Sequence, residues 1–191
     1  MAARAVCCSR GVLAVALCLA GARGSAGETP GDVRADEYRV KAAVVYNIAR
    51  FVEWPSSAFA GQNEPVVVCV IGADPFGDVL EETLKGRTVL GRPVAVNRIS
   101  DAVDGCHVAF IAYSEQKRVE DLLDRLGATP SLTVSDIERF TDRGGIVGLA
   151  TEGHRVRFDV NVSAAEHAHL TVSARVLALA SAVRRTGGPS R

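Results

Sequence analysis

The sequence predicts a single α/β domain: a mixed sheet of about six strands flanked by helices, with a C-terminal antiparallel hairpin. Three observations carry this. The runs Pro65-Val-Val-Val-Cys-Val-Ile71 and His107-Val-Ala-Phe-Ile-Ala-Tyr113 are continuously apolar and rich in β-branched residues, as expected of strands covered on both faces. Stretches of helical length and spacing alternate with such runs. Arg155-Val-Arg-Phe-Asp-Val-Asn-Val162 then switches to strict alternation, with Val156, Phe158, Val160 and Val162 inward and Arg155, Arg157, Asp159 and Asn161 outward. That is the pattern of an antiparallel strand with one wet face.

In chain order, a cationic start carrying Arg4 and Arg10 leads into the apolar stretch Gly11 to Ala20 and then into small residues as far as Ala26. This reads as an export signal over 1–26, cut after Ala22 or Ala26, and too short to stay as a membrane anchor. Leu17, just before Cys18, is a poor fit to a lipidation site. A polar linker, 27–36, precedes an α/β domain over 37–185 and a Gly-, Pro- and Ser-rich tail, 186–191, expected to fray.

Within the domain, Glu37 to Trp54 has helical length and stops at Pro55. Tyr38, Ala42, Val45, Ala49 and Val52 form its apolar stripe, widened by Val44, Ile48 and Phe51. Phe76 to Lys85 reads as a short helix ended by Gly86. Thr88 to Ile99 is a strand interrupted at Gly91-Arg92-Pro93, and a helix opening near Ser114 runs to Leu126. Ser131 to Val134 is a strand, and Ser135 with Glu138 suggests a capping box for a helix reaching Thr141. Asp142 to Gly145 turns into the strand Ile146 to Ala150, which Thr151-Glu-Gly-His154 connects to the alternating strand. Ser163 to His169 and Ser173 to Arg185 close the domain as helices.

Removing the leader takes away Arg4, Arg10 and Arg23, leaving 19 basic against 22 acidic residues, a balance that does not suggest nucleic acid. Cys7, Cys8 and Cys18 leave with it, so Cys69 and Cys106 remain. In an oxidising compartment this pair reads as a disulfide, contributing roughly 3 to 4.5 kcal/mol by chain entropy. Two buried free thiols are the alternative.

The sequence proposes no active site. The turn Gly72-Ala-Asp-Pro-Phe-Gly77 lacks the Lys-Ser/Thr of a phosphate loop, and no Gly-x-Ser-x-Gly nucleophile occurs. His167 and His169 point in different directions if helical, and with His107 they do not make a metal set, so no metal and no cofactor is expected. Phe51 and Trp54 at the Trp-Pro corner are either interface anchors or core residues. Arg175 is either a surface ion-pair residue or part of a contact.

The run Lys41-Ala-Ala-Val-Val-Tyr-Asn-Ile-Ala-Arg-Phe-Val-Glu-Trp-Pro55 resembles the YfiR family of periplasmic proteins. So do Val68 to Gly77, Cys106-His107, Leu132 to Asp136 with Phe140, Gly144-Gly145 and Phe158-Asp-Val-Asn161. The resemblance covers about Tyr38 to Val183; a second cysteine pair found in some members is absent. It implies a noncatalytic, dimerising periplasmic regulator that inhibits the periplasmic part of an inner-membrane diguanylate cyclase, and so bears on cyclic di-GMP and biofilm. It further implies that cysteine oxidation affects stability. A small-ligand sensor module associated with a sensor kinase or outer-membrane receptor is the alternative.

Overall fold

The computed structural model describes residues 30–100, 103–127, 129–153 and 155–185. The expected leader, residues 27–29 of the linker, His154 and the tail lie outside the described residues. The chain runs through α1 (Pro30–Ala49), β1 (Val52–Glu53), β2 (Val66–Ile71), α2 (Val79–Leu84), β3 (Thr88–Val89), β4 (Arg92–Ile99) and β5 (Val108–Ile111). It continues through α3 (Val119–Leu126), β6 (Leu132–Ser135), β7 (Val147–Glu152) and β8 (Arg155–Asn161). The last elements are α4 (Val162–His167), β9 (Thr171–Val172), α5 (Ala174–Leu179) and β10 (Ala182–Arg184).

Eight strands form one mixed sheet in the order β10-β8-β7-β6-β5-β2-β4-β3, while β1 and β9 pair in a separate antiparallel ribbon. The central β4, β2, β5, β6 and β7 run parallel, an order that reverses direction at β2 as in doubly wound sheets. Alternation on β2 divides the interior in two. Val66, Val68 and Val70 join the core formed with α1 and α2, whereas Cys69 and Ile71 join Leu122 and Leu126 of α3 on the other face. β7 and β8 form the expected antiparallel hairpin, from Val147 opposite Val160 to Glu152 opposite Arg155.

Several expectations are corrected. The sheet has eight strands rather than six. The two extra strands are β3, made when the chain doubles back at Leu90-Gly91 (φ 53° and 76°), and β10, parallel to β8. The segment read as linker is helical from Pro30, and α1 ends at Ala49, so Val52 and Glu53 belong to the ribbon. The stripe is nonetheless buried as read: Tyr38, Ala42, Val45, Ala49 and Val52 are all core. No helix follows Ser135. Its hydroxyl donates to the Ile111 carbonyl (2.6 Å) and accepts from the Ile137 N–H (3.0 Å), and Arg139 at φ 56° breaks helical backbone. The last helix is only α5; Ala180 is extended and Ser181 N–H bonds to the Phe158 carbonyl (2.8 Å), so β10 covers the edge of β8.

Asn161, expected outward, is buried. Its Oδ1 accepts from the Ala164 N–H (3.0 Å) as the cap of α4, and its Nδ2 donates to the Thr141 carbonyl (3.0 Å). The two chain halves are interlocked: Thr151 Oγ1 donates to Glu37 Oε1 (2.7 Å), and the ribbon joins the segment after α1 to the segment before α5.

Candidate functional site

The corner after α1 is built by local chain geometry and then closed from far along the sequence. Arg50 and Phe51 N–H groups bond back to the Tyr46 and Ile48 carbonyls (3.1 and 2.9 Å), finishing the helix, and Pro55 prevents its resumption. Ser173 N–H then bonds to the Phe51 carbonyl (3.0 Å), which carries the start of α5, with Arg175, to this corner.

Three guanidiniums gather here over two rings. Arg50 lies 5.7 Å and Arg175 5.9 Å from the Phe51 centroid, while Arg50 lies 5.6 Å and Arg87 4.8 Å from that of Tyr46. These are cation–π distances. Tyr46 is buried and its hydroxyl donates to the Thr88 carbonyl (3.2 Å), so the platform is fixed from below. Phe51 and Arg175, singled out from sequence, therefore meet. Trp54 packs against the core as a half-buried side chain, and its indole N–H is buried without a partner among the described residues. Sequence reasoning missed Arg50, Arg87 and Tyr46. The signal was partly there, since Tyr46 and Arg50 are one helical turn apart.

A second constellation surrounds Cys69 and Cys106, which form a disulfide with Cα atoms 5.7 Å apart. Next to it His107 is 4% exposed and both ring nitrogens are engaged. Nδ1 accepts from the Val67 N–H (3.0 Å), so the proton sits on Nε2 and is donated to the Ala58 carbonyl (3.0 Å). Phe59 stacks on the imidazole at 4.5 Å, and Arg92 lies 4.0 Å from the Phe59 centroid. Burial pushes the imidazole below its ordinary pKa and Arg92 adds to that, against the opposite pull of the Ala58 carbonyl and Glu64. A cavity of 190 Å³ opens beside it, lined by Ser57, Gly105, Cys106, His107 and Pro130 among others.

The third is a buried ion network at the carboxyl end of β6. Lys41, 4% exposed, bonds to Glu37 Oε1 (2.6 Å) and Asp136 Oδ2 (2.7 Å), and the Tyr38 hydroxyl donates to the same Asp136 oxygen (2.7 Å). Burial alone would lower the Lys41 pKa, but the two carboxylates outweigh it and raise it. Burial and the Asp136 bond raise Tyr38. The lysine is thus a fully engaged cation rather than a poised base. Lys41 and Asp136 stand in the runs that carry the family resemblance, but sequence reasoning assigned neither a role, and their partnership spans 95 residues. His167 and His169 are not joined in a cluster, and among the described residues no group of three His, Cys, Asp or Glu side chains could hold a metal ion.

Fold and site together define a disulfide-stapled, doubly wound α/β domain with an arginine-covered aromatic corner. The model of the family described as YfiR/HmsC-like matches residues 38–181, and the chain belongs to that family, in general periplasmic regulators of cyclic di-GMP signalling. No curated protein matches the sequence. Among solved structures, the chain is similar to a conserved domain protein of Vibrio cholerae O1 biovar El Tor, with a TM-score of 0.53 and 11% identity. The match covers 76% of this chain and 60% of the Vibrio chain, and it speaks to the fold alone. Among the described residues, no helix is long and apolar enough to cross a membrane.

Proposed function

We propose that this protein, once its leader is removed, acts in the periplasm as a noncatalytic regulator that binds and inhibits the periplasmic part of an inner-membrane diguanylate cyclase. The observation that carries this reading is the family match over nearly the whole domain, residues 38–181. Arg175, exposed over the half-buried Phe51, supports this corner as the contact surface, because arginine and aromatic side chains make effective interface anchors. The working form is a homodimer. Inhibition requires tighter binding to the cyclase's inactive state than to its active one, and each 1.4 kcal/mol of difference shifts that balance about tenfold.

The test is a titration of the mature chain against the periplasmic domain of a membrane diguanylate cyclase from the same cell. It is paired with cyclic di-GMP synthesis by the full-length cyclase in membranes. Saturable binding with falling synthesis is expected; binding without any change in synthesis, or no binding to such domains, overturns the proposal.

A further inference from the structure

Most ion pairs of this protein are satisfied at home. Arg98 binds Asp74 and Glu81, Arg143 binds Glu120, Arg157 binds Glu152, and both Arg139 and Arg184 bind Asp142. Arg50, Arg87 and Arg175 differ. Each is exposed, and none has an ion pair or a side-chain hydrogen bond among the described residues; their contacts are with the faces of Tyr46 and Phe51. They come from three separate places, the end of α1, the turn after α2 and the start of α5. Glu53, the acidic residue of the adjoining ribbon, pairs with none of them.

A guanidinium lying on a ring keeps its edge N–H groups outward in a fork that matches a carboxylate. Arg50 reaches both rings, Arg87 shares Tyr46 with it and Arg175 shares Phe51. Three cations thus lie on one aromatic corner of a mature chain with more acidic than basic residues and concentrate positive potential there. Leu179, 77% exposed, lies one turn beyond Arg175 on the same face of α5 and supplies an apolar contact beside the charges. We propose that Arg50, Arg87 and Arg175 form the receptor for an acidic segment of the partner protein, with Leu179 receiving an apolar side chain of that segment.

This rests on the reading of the chain as a partner-binding regulator and names the chemistry of the partner's contact. A lipid surface fits less well, because the aromatic side chains at this corner are half or fully buried instead of projecting for insertion.

The experiment uses the mature full chain and a fluorescent Glu-Glu-Leu-Glu-Glu peptide, read by anisotropy and by emission of Trp54, the only tryptophan in the sequence. Saturable binding that weakens with added salt is expected, and R50Q/R87Q/R175Q should weaken it about tenfold or more. R50K/R87K/R175K, which keeps the charge and loses the fork, should fall between. Failure of the wild-type chain to bind the peptide, or equal binding by the glutamine variant, overturns the inference. So does tighter binding to phosphatidylglycerol vesicles than to the peptide.

The same variants titrated against the cyclase's periplasmic domain separate the two proposals. A wild-type chain that binds the peptide and not the domain leaves the arginine receptor standing and removes the cyclase reading. Domain binding unaffected by R50Q/R87Q/R175Q does the reverse.

Discussion

His107 shows how one buried side chain ties stability to acidity. A proton added at Nδ1 would confront the Val67 N–H that this atom now accepts, and would add charge within reach of Arg92. Its pKa in the folded chain is therefore depressed below the ordinary histidine value of about 6.5. The stabilisation is complete above that pH. On acidification the unfolded chain takes up the proton first, so stability declines below about pH 6.5 and levels off once the folded pKa is passed. Urea unfolding across this range should show the decline, and His107→Asn, which keeps an acceptor and cannot protonate, should remove it. An undiminished decline in the variant would contradict the assignment. The sequence displays His107 beside Cys106 but not its partners, Ala58 and Val67, because backbone groups at that distance leave no pattern in side-chain identity. Asn161 is a related case: alternation assigns it to solvent, whereas the need to cap α4 holds it inside.

At the level of elements, burial periodicity was legible and local capping signals were not decisive. The stripe of α1 and the uniform strands β2 and β5 are core as read, since apolar burial dominates their energetics. The Ser135 and Glu138 pattern fails because Ser135 is drawn into the sheet and Asp136 into the network of Lys41. The turn from Arg139 to Gly145 takes the place of the expected helix, and Phe140 shapes it. A Cβ at Gly145 would fall 2.1 Å from the Phe140 ring, which is itself fully buried. Gly145→Ala must displace that ring or the backbone and should cost about 1 to 3 kcal/mol, seen as a lower melting temperature. A variant that melts with the wild type would show that the turn yields freely. The arginine receptor was half legible for a similar reason: Tyr46 and Arg50 are set by one helical turn, whereas Arg175 arrives through the ribbon and Arg87 through the turn after α2.

For the whole molecule, the disulfide joins the centre of β2 to the approach of β5 across a sequence separation of 37. By the chain-entropy relation, closing that loop stabilises the fold by about 4 kcal/mol. C69A/C106A should lower the unfolding free energy by about that amount and make the wild type's sensitivity to reductant disappear. Equal stability of the two proteins would mean that the bond contributes nothing beyond packing. The class of fold was legible from the rhythm of strands and helices, but the strand count was not, because β3 and β10 are too short to announce themselves.

The interlocking of the first helix with late strands has a consequence for biogenesis. Glu37 waits for Thr151, and the ribbon strand after α1 waits for Thr171 and Val172. A nascent polypeptide that stops short of β9 can neither close the ribbon nor finish the arginine corner. These long-range closures thus come only after nearly all of the chain has been synthesised, and contacts so distant in sequence are slow to form.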